Sequence, residues 1–135
     1  MNAILFVLYV TSVQFRMAFS QGEICGSPPM CYCFTGSPYV IDCGKNGLNI
    51  CPIFDEFTER IAYALLLSGN DIREIPIGYL ENWYSLNTFD IRGNPKLDCK
   101  SLENIPNWIP NVFTDCPSII PSTRTSYTTR KFLID

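Results

Sequence analysis

The chain has 135 residues, with ten basic against thirteen acidic side chains, a net charge of −3, seven cysteines and no histidine. A mild acidic excess without a clustered basic face argues against a nucleic-acid partner. The missing histidine removes the usual general base and the usual zinc or copper ligand, so the chain is read as carrying no catalytic residue, no metal and no cofactor.

Residues 1–20 read as a secretory signal peptide: Ala3 to Val13 is an apolar run, and Ala18 and Ser20 offer the small side chains a signal peptidase accepts. Cleavage is expected before Gln21. Gln14 and Arg16 interrupt the run too early for a membrane anchor, and no later stretch is long and apolar enough to span a bilayer. Loss of Arg16 leaves nine basic and thirteen acidic residues, a mature net charge of −4. The cysteines then lie in a secreted product, where they read as a disulfide framework and not as a metal or redox site.

Beyond a cysteine-rich stretch at 21–43, the sequence repeats. Asn46, Asn70 and Asn94 are 24 residues apart. Three positions before each stand Cys43, Leu67 and Ile91; five before, Ile41, Leu65 and Phe89; eight before, Pro38, Ala62 and Leu86. Two after stand Leu48, Ile72 and Lys96, with Leu97 able to replace the last, and five after, Cys51, Ile75 and Cys99. Each unit reads as a short strand with alternate side chains inward, closed by an asparagine whose amide satisfies backbone groups that the turn leaves open. Pro52 and Pro76 begin the return segment, which places Tyr79 and Trp83 on the convex side.

The segment Ala62 to Ile72, AYALLLSGNDI, is similar to the leucine-rich-repeat pattern Leu-x-x-Leu-x-Leu-x-x-Asn-x-Leu with Ala at the first position, and Leu86 to Asn94, LNTFDIRGN, matches its first nine positions. Residues 25–43 resemble the cysteine-rich N-terminal cap of extracellular members of that family. The resemblance implies an α/β repeat, a short leucine-rich-repeat solenoid: a small curved parallel sheet over 38–98 with disulfide-stapled caps at 21–43 and 99–116. Four cap cysteines allow three pairings; the resemblance implies Cys25 with Cys33 and Cys31 with Cys43.

Cys99 and Cys116 bracket Leu102, Ile105, Trp108 and Ile109 at near-helical spacing, with Pro106 limiting any helix to short pieces. This segment reads as a compact C-terminal cap tied by a Cys99–Cys116 bridge, whereas the family's usual C-terminal cap carries four cysteines. Cys51 is left over. It shares the inward position of Ile75 and reads as a buried free thiol, with intermolecular pairing as the alternative. Residues 117–135, rich in Ser, Thr and Pro, read as a disordered tail.

With the inward positions assigned, the residues between them are expected on the concave face: Tyr39 and Asp42 from the first unit, Tyr63, Leu66 and Ser68 from the second, and Asn87, Asp90 and Arg92 from the third. Tyrosines beside a leucine, flanked by charges, suit an interface of anchors and polar rim. The expected function is binding of an extracellular protein or glycan by a monomer. The alternative is a self-associating structural component or effector, a disulfide-linked dimer joined through Cys51.

Overall fold

The computed structural model describes residues 22–28 and 30–117; the signal peptide assigned to 1–20 and the tail beyond Pro117 lie outside the described residues. Six short strands form one sheet in chain order: β1 (Glu23–Cys25), β2 (Cys31–Phe34), β3 (Val40–Asp42), β4 (Ala64–Leu66), β5 (Thr88–Asp90) and β6 (Asn111–Phe113). The sheet is mixed where an all-parallel one was expected. β1–β2–β3 pair antiparallel, because tight turns join them, and β3 to β6 pair parallel, because a longer return segment separates each from the next. The registers Ile41↔Leu65 and Leu65↔Phe89 span 24 residues each, the spacing of the asparagines. A six-residue helix, α1 (Glu56–Ile61), lies in the first return, capped by Asp55, whose carboxylate accepts from Thr58 N–H at 2.9 Å. A 3-10 helix, Cys99–Asn104, precedes β6.

One side of the sheet is the core. Ile41, Leu65, Phe89 and Val112 are buried along one row, with Cys43, Leu67 and Ile91 beside them and Ile72, Ile75, Leu80 and Ile109 packed behind. Trp83, expected on the convex surface, is instead fully buried, its ring perpendicular to Phe54 at 5.6 Å and tilted against Tyr79 at 6.2 Å. It fills the volume between return segment and sheet, which aliphatics alone leave open. Pro38, expected inward, is exposed, because the first unit is entered from the β2 hairpin and Tyr39 packs against the core instead. Of the near-helical set in the C-terminal cap, Ile105 and Ile109 are buried and Trp108 is exposed, stacked on Tyr84.

The asparagines tie one unit to the next. Asn70 Oδ1 accepts from Asn46 N–H and Leu48 N–H, both at 3.0 Å, while its Nδ2 donates to Cys43 O at 2.9 Å and Leu67 O at 3.0 Å. Asn94 repeats this, accepting from Ile72 N–H and donating to Leu67 O and Ile91 O. Asn46 donates to Met30 O in the hairpin. The residues before them, Lys45, Gly69 and Gly93, all have φ between 56° and 69°. At Gly93 a Cβ would stand 3.1 Å from Gly69 N, so stacking as well as backbone conformation demands glycine there.

Three disulfides join Cys25 to Cys33, Cys31 to Cys43 and Cys99 to Cys116. They staple the two ends of the sheet and leave β4 and β5 to noncovalent forces. No helix of the described residues is long and apolar enough to cross a membrane.

Candidate functional site

The core row fixes which side chains face outward, since successive residues of a strand point to opposite faces and directly paired residues share one. Opposite Ile41, Leu65 and Phe89, the open face of the sheet carries two rows. One runs Ile24, Tyr32, Asp42, Leu66, Asp90, Phe113; the other runs Phe34, Val40, Ala64, Thr88, Asn111. The β1–β2–β3 end is apolar and open, with Ile24 66 % and Tyr32 49 % exposed. The β5–β6 end is charged and closed on itself.

Eight residues were expected to form one surface, and the structure divides them. Asp42, Leu66, Ser68, Asp90 and Arg92 belong to the open face or its C-terminal margin. Asp42 Oδ1 accepts from Gly44 N–H at 2.9 Å, which turns the chain out of β3. Asp90 does the same for Arg92 N–H and also receives the guanidinium, Nε at 3.1 Å and Nη2 at 2.9 Å. Arg92 in turn lies 4.9 Å over the Phe113 ring. Asp90, expected to face solvent, is therefore only 8 % exposed. Its fork-like pair with Arg92 and the covering Phe113 of β6 remove it from water.

Tyr39, Tyr63 and Asn87 depart from the expected surface. Each precedes its strand, in line with the core residue two positions later, so the row lies at the edge where the parallel strands begin. Asn87 Oδ1 is engaged there by Asn111 Nδ2 at 2.9 Å and by the Thr88 hydroxyl at 3.1 Å. Tyr39 and Tyr63 line an open groove of about 780 Å³ together with Pro38, Phe57 and Ile61. Phe57 of α1 is 70 % exposed and Tyr63 42 %.

Three of these residues went unread in the sequence. Tyr32 and Phe34 were accessible to it: with Cys31 and Cys33 bridged on the core side, the alternation Cys-Tyr-Cys-Phe sends the two rings outward. Phe57 left no periodic trace, because position 81, one unit on, holds Glu.

Cys51 is a buried free cysteine, its thiol donating to Glu74 O at 3.6 Å. Burial, with a smaller contribution from the Glu74 charge, pushes its pKa up to about 12, so the nucleophilic thiolate is scarce at neutral pH. The neighbouring Tyr79 phenol is likewise raised well above its usual value by burial, and donates to Pro52 O at 2.6 Å. No group of His, Cys, Asp and Glu suited to holding a metal occurs among the described residues. Compared with known proteins, the chain matches no family model and no curated protein.

Proposed function

We propose that this chain is a short leucine-rich-repeat protein of the extracellular space that binds another protein or a glycan through the open, concave face of its sheet, and that it is not an enzyme. The observation that carries the reading is the open face itself: side chains of successive units stand side by side in register, apolar at one end and charged at the other, with Leu66 between Asp42 and Asp90. The repeat reading draws support from the coincidence of strand register with the 24-residue asparagine spacing, and from amides that bond across units. Three disulfides fit an oxidising compartment. Self-association through Cys51 is disfavoured by the burial of that thiol and its high pKa.

Affinity capture from extracellular fluid, with wild-type and Leu66→Asp chains as parallel baits, tests the proposal. A central anchor commonly contributes about 2 kcal/mol or more, so the charged variant should hold its partner roughly thirtyfold less tightly. Its fold should persist, because Leu66 is only half-buried. A partner held equally by wild type, Leu66→Asp and Tyr32→Ala would refute the open face as the binding surface.

A further inference from the structure

We infer that the groove at the start of the parallel strands is a second binding site, apart from the open face, and that it takes a proline-rich peptide in the extended polyproline conformation. Its walls are rings and aliphatic surface: Tyr39, Phe57, Tyr63, Pro38 and Ile61. Exposing a single phenylalanine needs no explanation, but α1 buries Thr58 while turning Phe57 outward beside the half-exposed Tyr63, and a contiguous apolar recess of this kind marks an interaction site.

Three features select the occupant. Among the described residues no charged side chain lines the groove, so a charged ligand would surrender part of its hydration without compensation. No carboxylate, amide or guanidinium lines it either. The adjacent hydroxyls of a sugar are best met by such planar, bidentate partners, and the single hydroxyls of this lining can pair them only one at a time, which favours a glycan less.

The third feature is the backbone of the groove floor, which is already used within the sheet. Tyr39 O accepts from Tyr63 N–H at 2.8 Å and Ala64 N–H at 3.4 Å, and Tyr63 O accepts from Asn87 N–H at 2.8 Å and Thr88 N–H at 3.1 Å. At these two positions an ordinary extended peptide, held by its own N–H groups as an added strand, would have to compete with bonds of the sheet. What the lining does offer is hydroxyl donors from Thr35, Ser37, Ser85 and the tyrosines. The complementary ligand is uncharged, has ring-sized apolar faces, presents carbonyls and lacks N–H donors. Polyproline meets each condition, and its preformed helix loses little entropy on docking.

The test is fluorescence anisotropy of a labelled ten-residue polyproline peptide titrated with the secreted, disulfide-intact chain. A labelled Gly-Ser peptide of equal length and a labelled neutral cello-oligosaccharide serve as competing classes. Saturable binding of polyproline alone is expected, weakened about tenfold or more by Phe57→Ala and by Tyr63→Ala, a few-fold at most by Tyr63→Phe, and unchanged by Leu66→Asp. Phe57 is exposed enough that its removal leaves the fold intact, which near-ultraviolet circular dichroism verifies. Absence of saturable binding at millimolar protein, equal binding of the Gly-Ser peptide, preference for the oligosaccharide, or indifference to both ring removals would each overturn the inference. The Leu66→Asp arm separates this failure from failure of the open-face proposal.

Discussion

Replacing Asn70 by alanine tests whether the asparagine amides, and not only the inward aliphatics, hold the units together. The side chain is buried, and the groups it leaves behind differ in what else can satisfy them. Leu67 O keeps the Asn94 amide at 3.0 Å, and Ser68 O keeps Lys45 N–H at 2.9 Å. Leu48 N–H and Cys43 O lose the partners described above in buried surroundings, and Asn46 N–H loses its acceptor in a half-buried one. An unpaired buried polar group costs about 1–3 kcal/mol, so two such groups put the loss near 4 kcal/mol, a large fraction of the roughly 5–15 kcal/mol that holds a domain folded. Urea unfolding with disulfides intact, followed by the fluorescence of the buried Trp83, measures it. Asn70→Asp retains the acceptor but turns an oxygen toward Cys43 O and Leu67 O, and should lose at least as much at neutral pH. Asn49→Ala, at an exposed position, should stay within about 0.5 kcal/mol of wild type. A loss below about 1 kcal/mol for Asn70→Ala would mean that the amide is incidental to stability.

Other expectations follow from the same contacts. Gly93→Ala should cost about 2 kcal/mol or more by urea unfolding, because the left-handed backbone and the approach to Gly69 N act together. Cys51 should resist iodoacetamide at pH 8 in the native chain and react once urea unfolds it; native labelling at the rate of a small-molecule thiol would refute the raised pKa. Asp55→Ala should lose somewhat less than about 1 kcal/mol at pH 7, because the capping carboxylate is exposed to solvent. Hydrogen bonds from Thr58 hold that carboxyl below the usual range, so its stabilisation is complete above its unfolded pKa and fades as pH falls through the folded value. The gap between wild type and Asp55→Ala should therefore close in acid.

What the sequence made legible was whatever recurs once per unit. An inward apolar residue and an asparagine fall at a fixed 24-residue interval in the sequence, and β3, β4 and β5 pair at that interval. Features that occur once were hidden. Trp83 has Glu59 and Asn107 at the corresponding positions one unit away, so offsets gave no sign that it fills the core. β6 pairs with β5 at 23 residues, Phe89↔Val112, in a segment without the unit asparagine, and a cap is what the cysteines announced there. Assigning Tyr39, Tyr63 and Asn87 to the open face overlooked strand parity: they align with Ile41, Leu65 and Phe89, and only their place at the strand start lets them meet solvent.

The division of the candidate face has a physical consequence for which residues are free to determine a partner. At the β5 end, Asp90 is committed to the turn and to Arg92, and Arg92 to Asp90 and the Phe113 ring, so a ligand there meets a prearranged charge pair that it can displace only by breaking bonds of the fold. At the β1–β2 end, Ile24 and Tyr32 stand outward on strands fixed from behind by two disulfides, and their side chains contribute little to that anchoring. Rigid backbone with dispensable outward side chains is the arrangement in which contact residues change without loss of the fold. On the proposed binding role, partner specificity is therefore expected at the β1–β2 end and at Leu66, with the charged end orienting the partner rather than selecting it.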